Sequence, residues 1–212
     1  MSFATTDAHP AARRALHLEF ATVALAVGEA GAALASGVLA DSVALVAFGA
    51  DSVIEAISAI VVLAQLRSVI RAGEPDAAAE HRSHRVIAGL FFALAAYVVA
   101  SATVSLVHGH HPSENALGLA TCAASAVLMP GLAFAKRSAA AQLVNGGATS
   151  VGRLLSADAA ETALCGLLSV STLLGVGLAA GTGWWWADPV ASLVVVLFAI
   201  REGVEAWRCE PQ

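Results

Sequence analysis

Five acidic residues interrupt long apolar stretches of the sequence: Glu29, Asp51, Glu55, Asp158 and Glu161. On insertion scales a charged side chain at the centre of a bilayer costs about 2.5–3.5 kcal/mol, so it needs a partner or a function. We expect no basic partner at the same depth, because the Lys and Arg residues lie outside the apolar stretches. The carboxyl groups are therefore candidates for holding a cation.

The spacing of these acids favours a shared site. Asp51 and Glu55 are four residues apart, so a helix projects both from one face. Asp158, Glu161 and Cys165 likewise form one helical stripe. A rise of about 1.5 Å per residue puts the later members of both groups, and the acid of the first stretch, near the midplane of a bilayer. We expect them to converge on one ion.

Three of these residues also have a purely structural alternative. Glu29 could be protonated and hydrogen-bond to a neighbouring Ser or Thr, serving only helix packing. Asp158 could complement the dipole in the first turn of its helix. Cys165 by itself is an ordinary small apolar residue.

The composition is that of a membrane protein. Of the 212 residues, 58% are hydrophobic and 13% are charged, and the mean hydropathy is +0.76. An ordinary soluble domain has about 25% charged residues. The net charge of −5 argues against a nucleic-acid partner, and three cysteines are too few for a disulfide framework. The medium that suits such a chain is a lipid bilayer.

The apolar residues fall into six stretches, each near the roughly 20 residues that a helix needs to cross a bilayer. Helices satisfy every backbone group in lipid, so we predict an all-α bundle of six transmembrane helices. It forms a single transmembrane domain over residues 1–212, with a cytoplasmic tail at 1–17. The predicted spans are 18–39, 43–66, 86–107, 116–135, 154–180 and 185–200.

Basic residues give the predicted orientation. All 11 Lys and Arg residues lie in the terminal segments and in the second and fourth loops, and such a bias marks the cytoplasmic side. Both termini are then cytoplasmic, and Trp184, Trp185 and Trp186 lie at the outer interface. We predict a multi-pass protein of the cell (inner or plasma) membrane. A cleaved signal peptide is the alternative for the first forty residues, but Glu29 interrupts a run that is already too long.

Histidines outside the spans are weaker candidates. Glu80, His81 and His84 lie in the second loop, where they could form a secondary metal site. The three histidines between 108 and 111 could bind exported metal weakly, but a plain turn built on Gly109 and Pro112 is the simpler explanation.

Three motifs resemble the cation diffusion facilitators, a family of zinc and divalent-metal exporters. Residues 42–55 resemble the second span of the family, where Ser-hydrophobic-Ala-Leu is followed by two acids four residues apart. Residues 156–165 resemble the start of its fifth span, where the family has His and Asp at the same spacing. Residues 184–191 resemble the Trp-x-Asp-Pro-x-Ala segment that opens its sixth span. The similarity covers spans 1–2 and 5–6, about half of the chain.

The resemblance implies a six-helix homodimer with a tetrahedral metal site between spans 2 and 5. It assigns Asp51 and Glu55 to the ligand positions of span 2 and Glu161 and Cys165 to those of span 5, while Glu29 adds a carboxylate from span 1. This set has no histidine, and a thiol replaces a carboxylate. Carboxylates with one thiolate suit Zn²⁺, and the loss of imidazole also admits Mn²⁺. The family's C-terminal cytoplasmic domain has no counterpart, so a short member is expected.

These observations predict a secondary transporter that exports a divalent cation, Zn²⁺ above all, in exchange for protons. Metal ligands must be deprotonated, so metal binding releases protons. We expect no organic cofactor and no enzyme activity. An intramembrane aspartyl protease is disfavoured because Asp51 lacks the Gly-x-Gly-Asp context. The other alternative is a non-transporting membrane scaffold or regulatory protein with a degenerate metal site.

Overall fold

Long apolar runs that are free of internal turn signals fold as long helices in the computed structural model of the chain. The structure describes residues 8–72, 77–109, 113, 115–147 and 149–208. The helices are α1 (Ala8–Ala40), α2 (Val43–Ala72), α3 (Ala77–His108), α4 (Ala116–Asn145), α5 (Thr149–Thr182) and α6 (Ala187–Arg208). The described residues contain no strand, and the predicted all-α membrane bundle is confirmed.

Five helices are long and apolar enough to cross a membrane. Among the described residues these segments are Pro10–Ala40, Val43–Arg67, Arg85–His108, Ala116–Asn145 and Val151–Thr182. Helix α6 does not meet this criterion of length and apolar composition, yet it runs alongside α2. Asp188 near its start contacts the first residues of α2, and Glu202 near its end lines the same cavity as Ser58 of α2.

All six helices extend beyond their predicted spans at one end or both, and the extensions at the start of α1 and the end of α4 are the longest. Helix α1 begins at Ala8, so residues 8–17 of the predicted tail are helical. The reason is packing, because Ala11 and Ala15 are buried against α2, α4 and α5. Helix α4 continues past residue 135 to Asn145, which moves Lys136 from a predicted loop into a helix.

Small residues let neighbouring helices approach closely. A Cβ atom on Gly166 of α5 would lie 2.8 Å from Cδ of Pro130 in α4, and one on Gly49 of α2 would lie 2.8 Å from the backbone nitrogen of Leu34 in α1. In lipid, where apolar side chains gain little by leaving the solvent, such close contact is a main source of helix association. The hairpins α1–α2 and α4–α5 are fixed in this way.

One acid joins the starts of α2 and α6. Oδ2 of Asp188 accepts hydrogen bonds from the backbone N–H groups of Val43 (2.9 Å) and Ala44 (3.3 Å). The Ser42 hydroxyl donates to Oδ1 of Asp188 and accepts from the N–H of Leu45 (3.1 Å). A carboxylate at a helix N-terminus satisfies free N–H groups and the helix dipole together. Two of the three sequence motifs therefore meet in a structural contact.

The bundle buries a set of polar side chains among its apolar core and exposes large apolar side chains on its surface. Exposed large apolar side chains include Phe134 (76%) and Val127 (74%), whereas Glu55 is 2% exposed and Lys136 is fully buried. A soluble domain has the opposite arrangement, and lipid-facing surfaces explain this one. The interior polar groups are consequently where function must be sought.

Candidate metal centre

Three helices bring one potential metal ligand each to a single point. A carboxylate oxygen of Glu29 (α1), a carboxylate oxygen of Glu55 (α2) and Sγ of Cys165 (α5) all lie within 4.8 Å of one another. All three residues are buried. The close approach of α1 and α2 at Gly49 brings the first two together. One ion could contact all three atoms.

A second group of acids surrounds the same point. Asp51, Glu55, Glu161 and Cys165 line a cavity of about 10 Å³, and Glu202 of α6 completes its polar wall. We call this space the central cavity. A volume of about 10–15 Å³ is what a single water molecule needs. The central cavity is thus of the size of one small ion or water.

Several carboxylate oxygens at this point have no hydrogen-bond partner among the described residues. They are both oxygens of Glu55, Oε2 of Glu29 and Oε1 of Glu161. The Cys165 thiol and the Thr162 hydroxyl lie near Glu55 without well-formed hydrogen bonds to it. Oε2 of Glu161 accepts a hydrogen bond from the Ser58 hydroxyl at 2.6 Å, which orients that side chain. Buried oxygens are rarely left without partners, so this group is suited to a ligand.

Asp158 lies in a different group. Its carboxylate pairs with the ammonium of Lys136, which also lies 3.3 Å from Oε1 of Glu19 and donates to the Thr162 hydroxyl at 3.1 Å. The expectation that no basic residue reaches the depth of the acids was therefore wrong. Lys136 sits on the buried stripe of α4 and points inward, and the acids of α1 and α5 compensate its charge.

Two functional candidates were missed by sequence reasoning. Lys136 could have been found, since the buried stripe of α4 runs with helical spacing through Met129, Ala133 and Lys136. Glu202 gave no such signal, because it follows the predicted end of the sixth span.

The secondary metal candidates stay untested. Glu80, His81 and His84 belong to the first turns of α3, but their side chains lie outside the described part, as do His110 and His111. Nδ1 of His108 lies 2.9 Å from the carbonyl oxygen of Val104, so this ring packs back on its own helix.

Two carboxylates and a thiol form a mixed donor set. Oxygen donors suit hard divalent cations, whereas a thiolate favours softer ions such as Zn²⁺. Several buried acids without a basic partner gain most from a divalent cation. The arrangement is able to bind an ion and, because it lies between helices, to release it when the helices move.

Comparison with known proteins identifies the family of the chain. No curated protein matches the sequence significantly. The family described as the cation efflux transmembrane domain matches residues 20–208, nearly the whole chain. Its members are divalent-cation transporters rather than enzymes, which agrees with a multi-pass membrane protein. The chain belongs to the cation efflux family, the cation diffusion facilitators that its motifs resemble.

Proposed function

We propose that the chain exports Zn²⁺ in exchange for protons through a site formed by Glu29, Glu55 and Cys165. The observation that carries this proposal is the convergence of three buried ligand atoms, from three different helices, within 4.8 Å of one another. Zn²⁺ is bound by carboxylate oxygens and by thiolates, so the donor set is chemically suitable.

Asp51 and Glu161 complete the site in this proposal. Structural Zn²⁺ sites have four ligands, and both residues line the central cavity together with Glu55 and Cys165. One of the two supplies the fourth ligand, and the other faces the ion as it enters or leaves. Asp158 is left out of the ligand set, because it is paired with Lys136.

Proton exchange follows from ligand chemistry. Carboxylates and the thiol bind metal only when deprotonated, so protons arriving from the outer side release the ion and metal binding releases protons. The ligands lie on α1, α2 and α5, so relative movement of these helices alternates access to the site. Zn²⁺ specificity, cytoplasmic termini, a homodimer and a cell-membrane location all belong to this proposal.

The test is Zn²⁺ flux in proteoliposomes with an imposed pH gradient. We expect the unmodified protein to transport and Glu55→Gln to lose more than about 90% of the flux, because even the loss of a residue that only orients a metal ligand reduces metal affinity 10–100-fold. Asp41→Asn is the matched control: Asp41 is exposed in the α1–α2 turn with φ 54°, a conformation that Asn adopts readily.

Two results would contradict the proposal. Equal flux for Glu55→Gln and the unmodified protein would exclude this site. If the unmodified protein responded to no divalent ion, the scaffold alternative would be favoured instead.

A further inference from the structure

A second, larger cavity lies at the end of the bundle that carries the start of α1 and the end of α6. Its volume is about 420 Å³, and residues of α2 to α6 line it. We call it the vestibule. The side chains of Arg201 and Glu205 at its rim are 61% and 58% exposed, so the vestibule communicates with the medium on this side.

The vestibule and the central cavity share four lining residues. They are Phe91, Glu161, Leu164 and Glu202. Two of them are apolar, and we call the wall that the four residues form between the cavities the passage. The other two are carboxylates from different helices, α5 and α6. An ion that moves from the vestibule to the central cavity must therefore pass Glu161 and Glu202.

Most other charges around the vestibule are already paired. Nε of Arg201 lies 3.0 Å from Oε1 of Glu205, one turn along α6, and Asp158 is paired with Lys136. Glu202 is half-buried and lies within electrostatic reach of Asp51 in the central cavity. On the far side of the passage, Glu55 is 2% exposed and presents two oxygens without hydrogen-bond partners. Arg137 of α4 is an exposed cation on the vestibule wall. Carboxylates nevertheless continue from Glu202 and Glu161 at the passage into the central cavity.

We propose that Glu202, together with Glu161, takes a hydrated divalent cation from the vestibule and passes it to the central cavity. A cation that enters a space the size of one water must first lose its hydration shell, and two carboxylates at the passage replace part of that shell. Glu202 therefore acts in uptake of the ion and is not a ligand of the final site. This inference rests on the proposed function.

The test separates uptake from binding. Zn²⁺ transport into proteoliposomes is measured over a range of Zn²⁺ concentrations, and Zn²⁺ bound per protomer at saturation is measured in detergent. For Glu202→Gln we expect a KM raised about tenfold, since clefts of one charge raise local cation capture 10–10³-fold. Saturating flux and the amount of bound Zn²⁺ should remain close to those of the unmodified protein.

Two further variants sharpen the test. Glu202→Asp keeps the carboxylate and should restore most of the low KM. Asp41→Asn makes a comparable carboxylate-to-amide change outside the vestibule and should leave the KM unchanged.

Three results would overturn the inference. They are an unchanged KM in Glu202→Gln, an equally raised KM in Glu202→Asp, and a smaller amount of bound Zn²⁺ in Glu202→Gln. The failure of the proposed function looks different, because the unmodified protein would then show no Zn²⁺-driven flux at all.

Discussion

The bundle contains two buried groups of acids, and they differ in whether a basic side chain compensates their negative charge. In the first, Glu19 of α1 and Asp158 of α5 surround the ammonium of Lys136 from α4. In the second, Glu29 of α1 and Cys165 of α5 meet Glu55 of α2, and no basic side chain of the described residues pairs with them. The same two helices serve both groups, so the difference lies in the third helix.

This difference separates structure from transport. A buried charge whose partner is built into the chain is compensated permanently, and here the ion pairs join three helices. A buried acid without such a partner is unfavourable until it takes up a proton or a cation. The first group is therefore suited to holding α1, α4 and α5 in place. The second is suited to a transported cation that binds and dissociates.

The largest expected effect comes from removing the internal cation. Lys136→Met keeps most of the unbranched side chain but leaves Glu19 and Asp158 without their ammonium. Breaking a buried ion pair from one side destabilises a protein by about 3–5 kcal/mol. We expect a corresponding fall in the unfolding temperature in detergent.

A compensated variant controls for side-chain volume. Lys136→Met combined with Glu19→Gln and Asp158→Asn removes all three charges, and most of the lost stability should return. If the triple variant were no more stable than Lys136→Met alone, the charges would not explain the loss.

A smaller effect is expected from adding metal to the second group. Zn²⁺ at 100 times its Kd should stabilise the unmodified protein by about 2.7 kcal/mol, because only the folded state holds the site.

Cys165→Ala should reduce the Zn²⁺ affinity about tenfold and that of Mn²⁺ much less, since thiolates favour softer ions. Cys122→Ala is the matched control, because Cys122 is equally buried but lies on α4, outside the ligand group. Equal Zn²⁺ shifts in both cysteine variants would remove Cys165 from the site.

Much of the fold follows from the sequence alone. Apolar run lengths predict the helices, and helical spacing places Asp51 with Glu55 and Glu161 with Cys165 on single faces. These four residues do line one cavity in the structure. Such local periodicity is robust because the pitch of a helix does not depend on what surrounds it.

The separation of the acids into two groups could not be predicted in the same way. A basic pair after an apolar run normally marks a helix end, so Lys136 and Arg137 were placed in a loop. Only the rotation of α4 against α1 and α5 shows that Lys136 points inward, and only packing shows that Glu202 reaches the passage. Both features depend on how the helices pack together, so the sequence of a single helix does not predict them.

The smallest expected effect is a gain in stability, whereas the largest, that of Lys136→Met, is a loss. In the metal-free protein, Glu55→Gln removes a buried acid whose oxygens have no partner, and the amide keeps its shape. The amide carries no charge, so the cost of burying a carboxylate is removed and the stability should rise by about 1 kcal/mol. Unfolding of the variant and of the unmodified protein in detergent with a chelator present measures this gain. A clear loss of stability would mean that Glu55 has a structural partner. The contrast with the Lys136 group would then disappear, because both groups of acids would stabilise the fold and neither would be available to bind a transported cation.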